Sequence, residues 1–195
     1  TGATNYDSSW AGKFTAYMKR KNIQNEVYNL GIPGFTTYNN LRPIGYTPPP
    51  GRPSPVSGFC ITDAMALDPD AIIINMPSND AINDYSLVEQ QANFEAAIAI
   101  ADAANVPVWV TTTQPRNFLN ASQIANIQAM RTWILNRFGN KAVEFYETVA
   151  NPDGSINAFY DFDAVHVNDF GHDLFYQRMK AETIIDSLCI RFDQQ

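Results

Sequence analysis

The chain has 195 residues, 45% of them hydrophobic and 17% charged, which suits one globular domain with a substantial core and argues against disorder. A net charge of −7 without an extended basic patch argues against a nucleic-acid partner, because phosphate recognition needs a lysine- or arginine-rich face. No apolar run reaches the roughly 18 residues of a membrane span.

In chain order, residues 8–21 (SSWAGKFTAYMKRK) predict a helix. Asp7 or Ser8 is its candidate cap, and Trp10, Phe14, Tyr17 and Met18 recur at helical spacing. EVYNLG (26–31) reads as a short strand ended by Gly31. A long irregular segment follows over 32–58, with a proline cluster at 48–50 that excludes regular structure. A short helix is expected over 59–67, with Phe59, Ile61, Met65 and Leu67 on one face. AIIINM (71–76) is a continuous apolar run between turn residues, the mark of a strand buried on both faces and so of a parallel sheet covered by helices. Residues 86–105 predict a helix and PVWVTTT (107–113) the next strand. A helix over 122–139 is capped by Asn120 or Ser122 and stopped by Gly139. AVEFYE (142–147) reads as a last strand and 168–190 as a last helix. This alternation predicts a doubly wound α/β sheet in a single domain, 1–195, without internal repeats. The pattern opens on a helix, whereas such a sheet ordinarily opens on a central strand.

Ligands bind such sheets beyond the carboxyl ends of the strands, so the stretches that follow strands are the candidates for chemistry. They are NLGIPGFTT (29–37), MPSND (76–80), TTTQPRN (111–117) and DAVH (163–166). Asp163 lies three residues ahead of His166, close enough to hold one ring nitrogen, fix the tautomer and stabilise the imidazolium of a general base. The plainer reading is a helix cap beside a solvated loop histidine. Asn79 can donate its amide to negative charge developing on a substrate oxygen, or it can simply belong to a Pro-Ser-Asn-Asp turn. Gly34 can present its N–H to a ligand or merely permit a positive φ. Arg116 sits where it can contact a polar substrate, or it is a solvated loop residue. Phe35, Tyr38 and Tyr46 form either a sugar-stacking platform or pins for the long loop. His172, inside the last predicted helix, reads as a packing or surface residue. Ser8 in YDSSW reads as a helix-start residue and not a nucleophile, since no apolar strand runs into it.

The order NLGIPGFTT, PSND, DAVHVNDFGH in an α/β chain of this size resembles the SGNH (GDSL-type) hydrolases, over essentially the whole chain. The resemblance implies a flavodoxin-like three-layer α/β/α sandwich with a parallel sheet. It also implies that Gly34 and Asn79 are oxyanion donors and that Asp163 and His166 complete a triad with a serine. Two departures stand out. Pro77 takes the place of the glycine in the family's Gly-x-Asn-Asp block, which stiffens the backbone ahead of Asn79. The block that carries the serine is absent. TGAT resembles the residues after such a serine, so the chain reads as truncated at its N-terminus. The first central strand would then precede residue 1, with the nucleophile about five residues upstream of Thr1.

The implied activity is that of a serine esterase without metal or cofactor, acting on short-chain acyl esters of a small molecule or a glycan, outside the cytoplasm. The alternative is a non-catalytic glycan- or ligand-binding module on the same fold. Three lesser signals have plain readings. NPDGSINAFYD (151–161) departs from calcium-loop spacing and reads as a surface turn. Asn120-Ala121-Ser122 matches a glycosylation sequon but equally makes a helix N-terminus. Cys60 and Cys189 are too few for a disulfide framework and lack metal-ligand spacing. Two separate thiols are favoured over one bridge.

Overall fold

A computed structural model of the protein describes residues 2–76 and 78–181. Pro77, Cys189 and residues 182–190 of the expected last helix lie outside the described residues. Three short parallel strands, β1 (Ile72–Ile74), β2 (Val108–Thr111) and β3 (Ala142–Val143), form a sheet in that order. Ile72, Ile73 and Ile74 lie opposite Val108, Trp109 and Val110, while Val110 and Thr111 lie opposite Ala142 and Val143. Around them run α1 (Trp10–Lys21), α2 (Thr37–Asn40), α3 (Ile61–Ala66), α4 (Asn79–Ile82), α5 (Leu87–Ala103), α6 (Ala121–Phe138), α7 (Tyr146–Val149) and α8 (Asp169–Ala181).

Successive strand side chains point to opposite faces, and each face finds its own helices. Ile74, Val108 and Val110 join Ile61 of α3, Phe94 and Ile98 of α5, and Met130 and Ile134 of α6 in one core. Trp109 and Val143 join Phe14 and Met18 of α1, Val149 of α7, and Phe175 and Met179 of α8 in the other. The result is the three-layer α/β/α sandwich. Within the second core the rings of Phe145 and Phe175 stack with centroids 4.1 Å apart. None of the described helices is long and apolar enough to cross a membrane.

Several local expectations change. Residues 26–31 are not a strand: their backbone makes no ladder bond among the described residues, although Val27 packs into the second core. Their alternating apolar pattern suits a strand, but a strand exists only as part of a hydrogen-bonded ladder. Among the described residues β1 accordingly pairs on one side only, and Ile72 and Ile73 are half-buried instead of enclosed. The 142–147 run stays a strand only to Val143, because Thr112 Oγ1 accepts the N–H groups of Phe145 (2.8 Å) and Tyr146 (2.9 Å) and turns the chain into α7. The cap of α1 is Ser9, whose hydroxyl accepts the Gly12 N–H at 3.1 Å, while Asp7 and Ser8 belong to a preceding 3-10 turn. That turn folds back so closely that a Cβ on Gly12 would lie 2.1 Å from the Tyr6 carbonyl oxygen. Asn120 caps α6 through the Gln123 N–H at 3.0 Å, and Gly139 follows the helix at φ +53°.

The long segment between α1 and β1 is not wholly irregular. It contains α2, started by the mutual hydrogen bonds of Thr36 and Asn39. Tyr38 is buried, stacks on Tyr46 and meets Tyr85 edge-on, so it pins the segment down. Two polar links do the same. Arg52 Nε lies 2.7 Å from Glu89 Oε1, and the buried Asp80 carboxylate accepts the Thr37 N–H (3.0 Å) and hydroxyl (2.5 Å).

These two carboxylates respond to pH in opposite senses. Burial pushes Asp80 from 3.8 up to about 6, against the lowering effect of the Thr37 hydrogen bonds. The folded protein therefore holds an extra proton between those values, and stability falls as pH rises through that window, by on the order of 3 kcal/mol from this group. The Arg52 hydrogen bond carries Glu89 from 4.5 down to about 2, so its contribution is present above 4.5 and fades as pH falls towards 2. Urea midpoints measured from pH 4 to pH 6.5 are expected to decline in the native protein and to change less in Asp80→Asn. On the opposite face, Phe175→Ala removes one ring of the stacked pair and is expected to cost about 3–5 kcal/mol in the same assay.

Candidate active site

The loop before α8 brings Asp163 and His166 together. Asp163 Oδ1 accepts the backbone N–H groups of His166 (2.8 Å) and Val165 (3.1 Å), which locks a tight turn with Ala164 at φ +69°. The same carboxylate faces His166 Nδ1 at 2.8 Å through Oδ2 and at 3.0 Å through Oδ1. Partial burial pushes the Asp163 carboxyl up. The hydrogen bonds from the His166 ring and the two N–H groups outweigh that and hold it below its ordinary value. An ionised carboxylate only accepts, so Nδ1 carries the ring proton and Nε2 is left as an acceptor. Nε2 has no partner among the described residues, and the side chain is partly exposed.

The N-terminal residues pack onto this loop. A Cβ on Gly2, at φ +83°, would stand 2.2 Å from Val167 O and 2.8 Å from His166 Cβ. Thr4 anchors the approach by donating its N–H and hydroxyl to the Asp169 carboxylate at 2.8 and 2.7 Å.

Asn79 meets the residue that follows Gly34. Asn79, half-buried at the start of α4, donates one amide hydrogen to the Phe35 carbonyl at 2.9 Å, which places it against the residue after Gly34. Gly34 adopts φ +82°, a conformation that needs glycine, and no atom lies within 4 Å of where a Cβ would stand. Its N–H has no acceptor among the described residues.

The segment after β2 connects the two halves. Thr113 Oγ1 donates to Met76 O at 3.0 Å, three residues before Asn79, and Gln114 Nε2 donates to Val165 O at 2.9 Å, next to His166. Asn117 continues the contact by donating its N–H to Ala164 O at 2.8 Å. The segment after β2 therefore touches both the end of the β1 segment, three residues before Asn79, and the His166 loop. Arg116 lies on that same segment. It lines a cleft of about 330 Å³ with Phe118, Ile124 and Asp153 and makes no ion pair among the described residues. A larger surface cavity, about 570 Å³, lies elsewhere, between α5 and α6 around Trp133, and is lined by none of these residues.

His172 is buried and accepts the Trp10 N–H through Nδ1 at 3.4 Å, a packing role away from the loop. Residues 151–155 form a turn closed by Asn151 N–H to Ser155 O at 2.8 Å. Three contributors escaped the sequence reading. They are Gly2, whose closeness to His166 has no sequence signal; Gln114, which stands beside the noticed Arg116; and Asp80, which stands inside PSND but whose partner Thr37 is 43 residues away.

Residues 1–174 match the model of the GDSL-like lipase/acylhydrolase family. No match is found among curated proteins. Solved structures share the fold at low identity. A protein of the G-D-S-L family from Desulfitobacterium hafniense DCB-2, described as lipolytic, is 19% identical with a TM-score of 0.66, over 90% of this chain and 89% of that one. The psychrotrophic esterase EstA from Pseudoalteromonas sp. is 17% identical with a TM-score of 0.61, over 96% and 89%. A protein from Bacteroides fragilis NCTC 9343, described as an acylhydrolase, is 24% identical with a TM-score of 0.55, and the alignment spans 65% of this chain and 66% of that chain. With a family model covering nearly the whole of its length, the chain belongs to the GDSL-like lipase/acylhydrolase family.

Proposed function

We propose that the protein is a serine esterase that hydrolyses short-chain acyl esters through His166, Asp163 and a serine upstream of Thr1. The observation that carries this reading is the His166–Asp163 pair, with Nδ1 held at 2.8 Å and Nε2 left to accept a proton. In the proposed reaction Nε2 takes the serine hydroxyl proton as the oxygen attacks the ester carbonyl, and the tetrahedral intermediate places its negative charge on the former carbonyl oxygen. The Gly34 N–H and the second hydrogen of the Asn79 amide are the donors for that charge. His166 then hands its proton to the departing alcohol. Water, activated in the same way, releases the acyl group from the serine. No step requires a metal.

Two packing facts support a serine arriving from the N-terminal side. Gly2 lies directly against His166, and among the described residues β1 pairs with β2 alone, an arrangement compatible with a further strand on its other edge. Arg116, in its cleft beside the His166 loop, is the proposed contact for a polar alcohol moiety, and esters of carbohydrates or glycans are the substrates to try first. Family membership and the preassembled Asp–His pair favour the enzyme over a non-catalytic module of the same fold.

With the full-length protein and p-nitrophenyl acetate, His166→Ala is expected to lower kcat/KM by about a thousandfold or more, and Asp163→Asn by about a hundredfold or more. Undiminished turnover in His166→Ala would sink the assignment. Peptide mapping after treatment with a p-nitrophenyl alkylphosphonate should locate the label on a serine N-terminal to Thr1. A label on Ser8 or Ser9 would move the nucleophile.

A further inference from the structure

Two donors that act on one oxygen must keep a fixed separation, yet Gly34 and Asn79 stand on different segments of the chain. The bond from Asn79 to the Phe35 carbonyl links them, but it is a single neutral hydrogen bond at a partly exposed place. The next residue on each side supplies a stronger connection. Asp80, 2% exposed, accepts three hydrogen bonds from Thr37: its N–H reaches Oδ2 at 3.0 Å and Oδ1 at 3.3 Å, and its hydroxyl reaches Oδ1 at 2.5 Å.

The Thr37 hydroxyl has no freedom to do otherwise. Its oxygen already accepts from Asn93 Nδ2 at 2.7 Å, so its one proton must go to Asp80. Asn93, fully buried in α5, is oriented in turn by Arg42 Nε, which donates to its Oδ1 at 2.5 Å. The chain of donors Arg42, Asn93, Thr37 thus terminates on a carboxylate, an arrangement that works in one direction only and needs an acceptor at its end.

We infer that Asp80 is a positioning residue for the oxyanion site: by clamping Thr37 it fixes the segment carrying the Gly34 N–H against the start of α4, which carries the Asn79 amide. This rests on the esterase reading above. The physical reason for a carboxylate is the donor count. Thr37 offers both an N–H and an O–H, and an amide at position 80 would turn one of its own N–H groups towards a donor, where a carboxylate accepts both. A loosened clamp leaves substrate binding largely intact, because the ground-state carbonyl draws little from these donors. It weakens the bonds that strengthen as charge develops.

The test measures p-nitrophenyl acetate hydrolysis by the full-length protein, with kcat expressed per site titrated by p-nitrophenyl alkylphosphonate, so that a lower folded fraction does not count as a slower enzyme. Asp80→Asn and Thr37→Val are each expected to lower kcat by about 10- to 100-fold with KM changed by less than about threefold. The double variant should fall no further than the worse single one, since both break the same clamp. Thr37→Ser, which keeps both donors, should restore the native kcat. Ile134→Ala, a comparably destabilising change in the core far from this clamp, should leave kcat per titrated site unaltered. Native kcat in both Asp80→Asn and Thr37→Val overturns the inference, as does an equal loss in Ile134→Ala. Either of these results alongside His166-dependent turnover overturns the positioning role alone. Turnover that ignores His166 removes the esterase reading and this inference with it.

Discussion

β2 is buried along its whole length, and the rest of the molecule is arranged to keep it so. A strand with Val108 and Val110 on one face and Trp109 on the other needs apolar cover on both sides, and α5 and α6 provide it on one side and α1 and α8 on the other. Parallel strands with helical cover all point their carboxyl ends the same way. The segments that leave those ends then fall along one rim, where Asn79 reaches Phe35 O, Thr113 reaches Met76 O and Gln114 reaches Val165 O. Thr112, the first residue beyond β2, is itself fully buried and steers the chain after β3 through two N–H groups. Thr113 and Gln114, the next two, tie the Asn79 side of the rim to the His166 side. A single buried strand thus sets the spacing of the candidate site.

Two aspartates near that rim show how placement divides labour between identical side chains. Asp163 is exposed and satisfied by a histidine ring and two backbone N–H groups, and these keep it ionised below its ordinary range. Asp80 is enclosed, and burial lifts it to about 6 despite the hydrogen bonds it accepts. The first is suited to steady an imidazolium, because the hydrogen bonds it accepts favour its charged form. The second is suited to hold backbone in place, at a cost in stability that grows as it ionises.

Local sequence was a good guide where the chemistry is local. The spacing of Asp163 and His166 needs only a short turn to become a contact, and the structure supplies that turn through hydrogen bonds from neighbouring N–H groups. Asn120 and Gly139 mark the ends of α6 for reasons confined to one helical turn. The failures share the opposite property. Residues 26–31 carry a strand's alternation, but pairing is decided by what lies alongside. The 142–147 run loses its last residues to a threonine more than thirty positions earlier. α2 begins with Thr36 and Asn39 bonded to each other, in a polar stretch that reads as loop until Asp80, far along the chain, holds Thr37.

What the sequence determined by itself was the class of fold, through apolar runs too continuous for a sheet with one wet face, while spacing offered Asp163 and His166 as a candidate contact beside the plainer reading of a cap and a loop histidine. The order of its motifs also pointed to the family. Only the tertiary structure decided that Gly2 lies against His166, that Tyr38 is a buried pin of the long segment, and that Thr37, Asn93 and Arg42 form one directed chain ending on Asp80. The division has a plain cause. Periodicity and capping are properties of neighbours in sequence, whereas a buried polar network exists only after the apolar layers have closed and left each donor a single acceptor to reach.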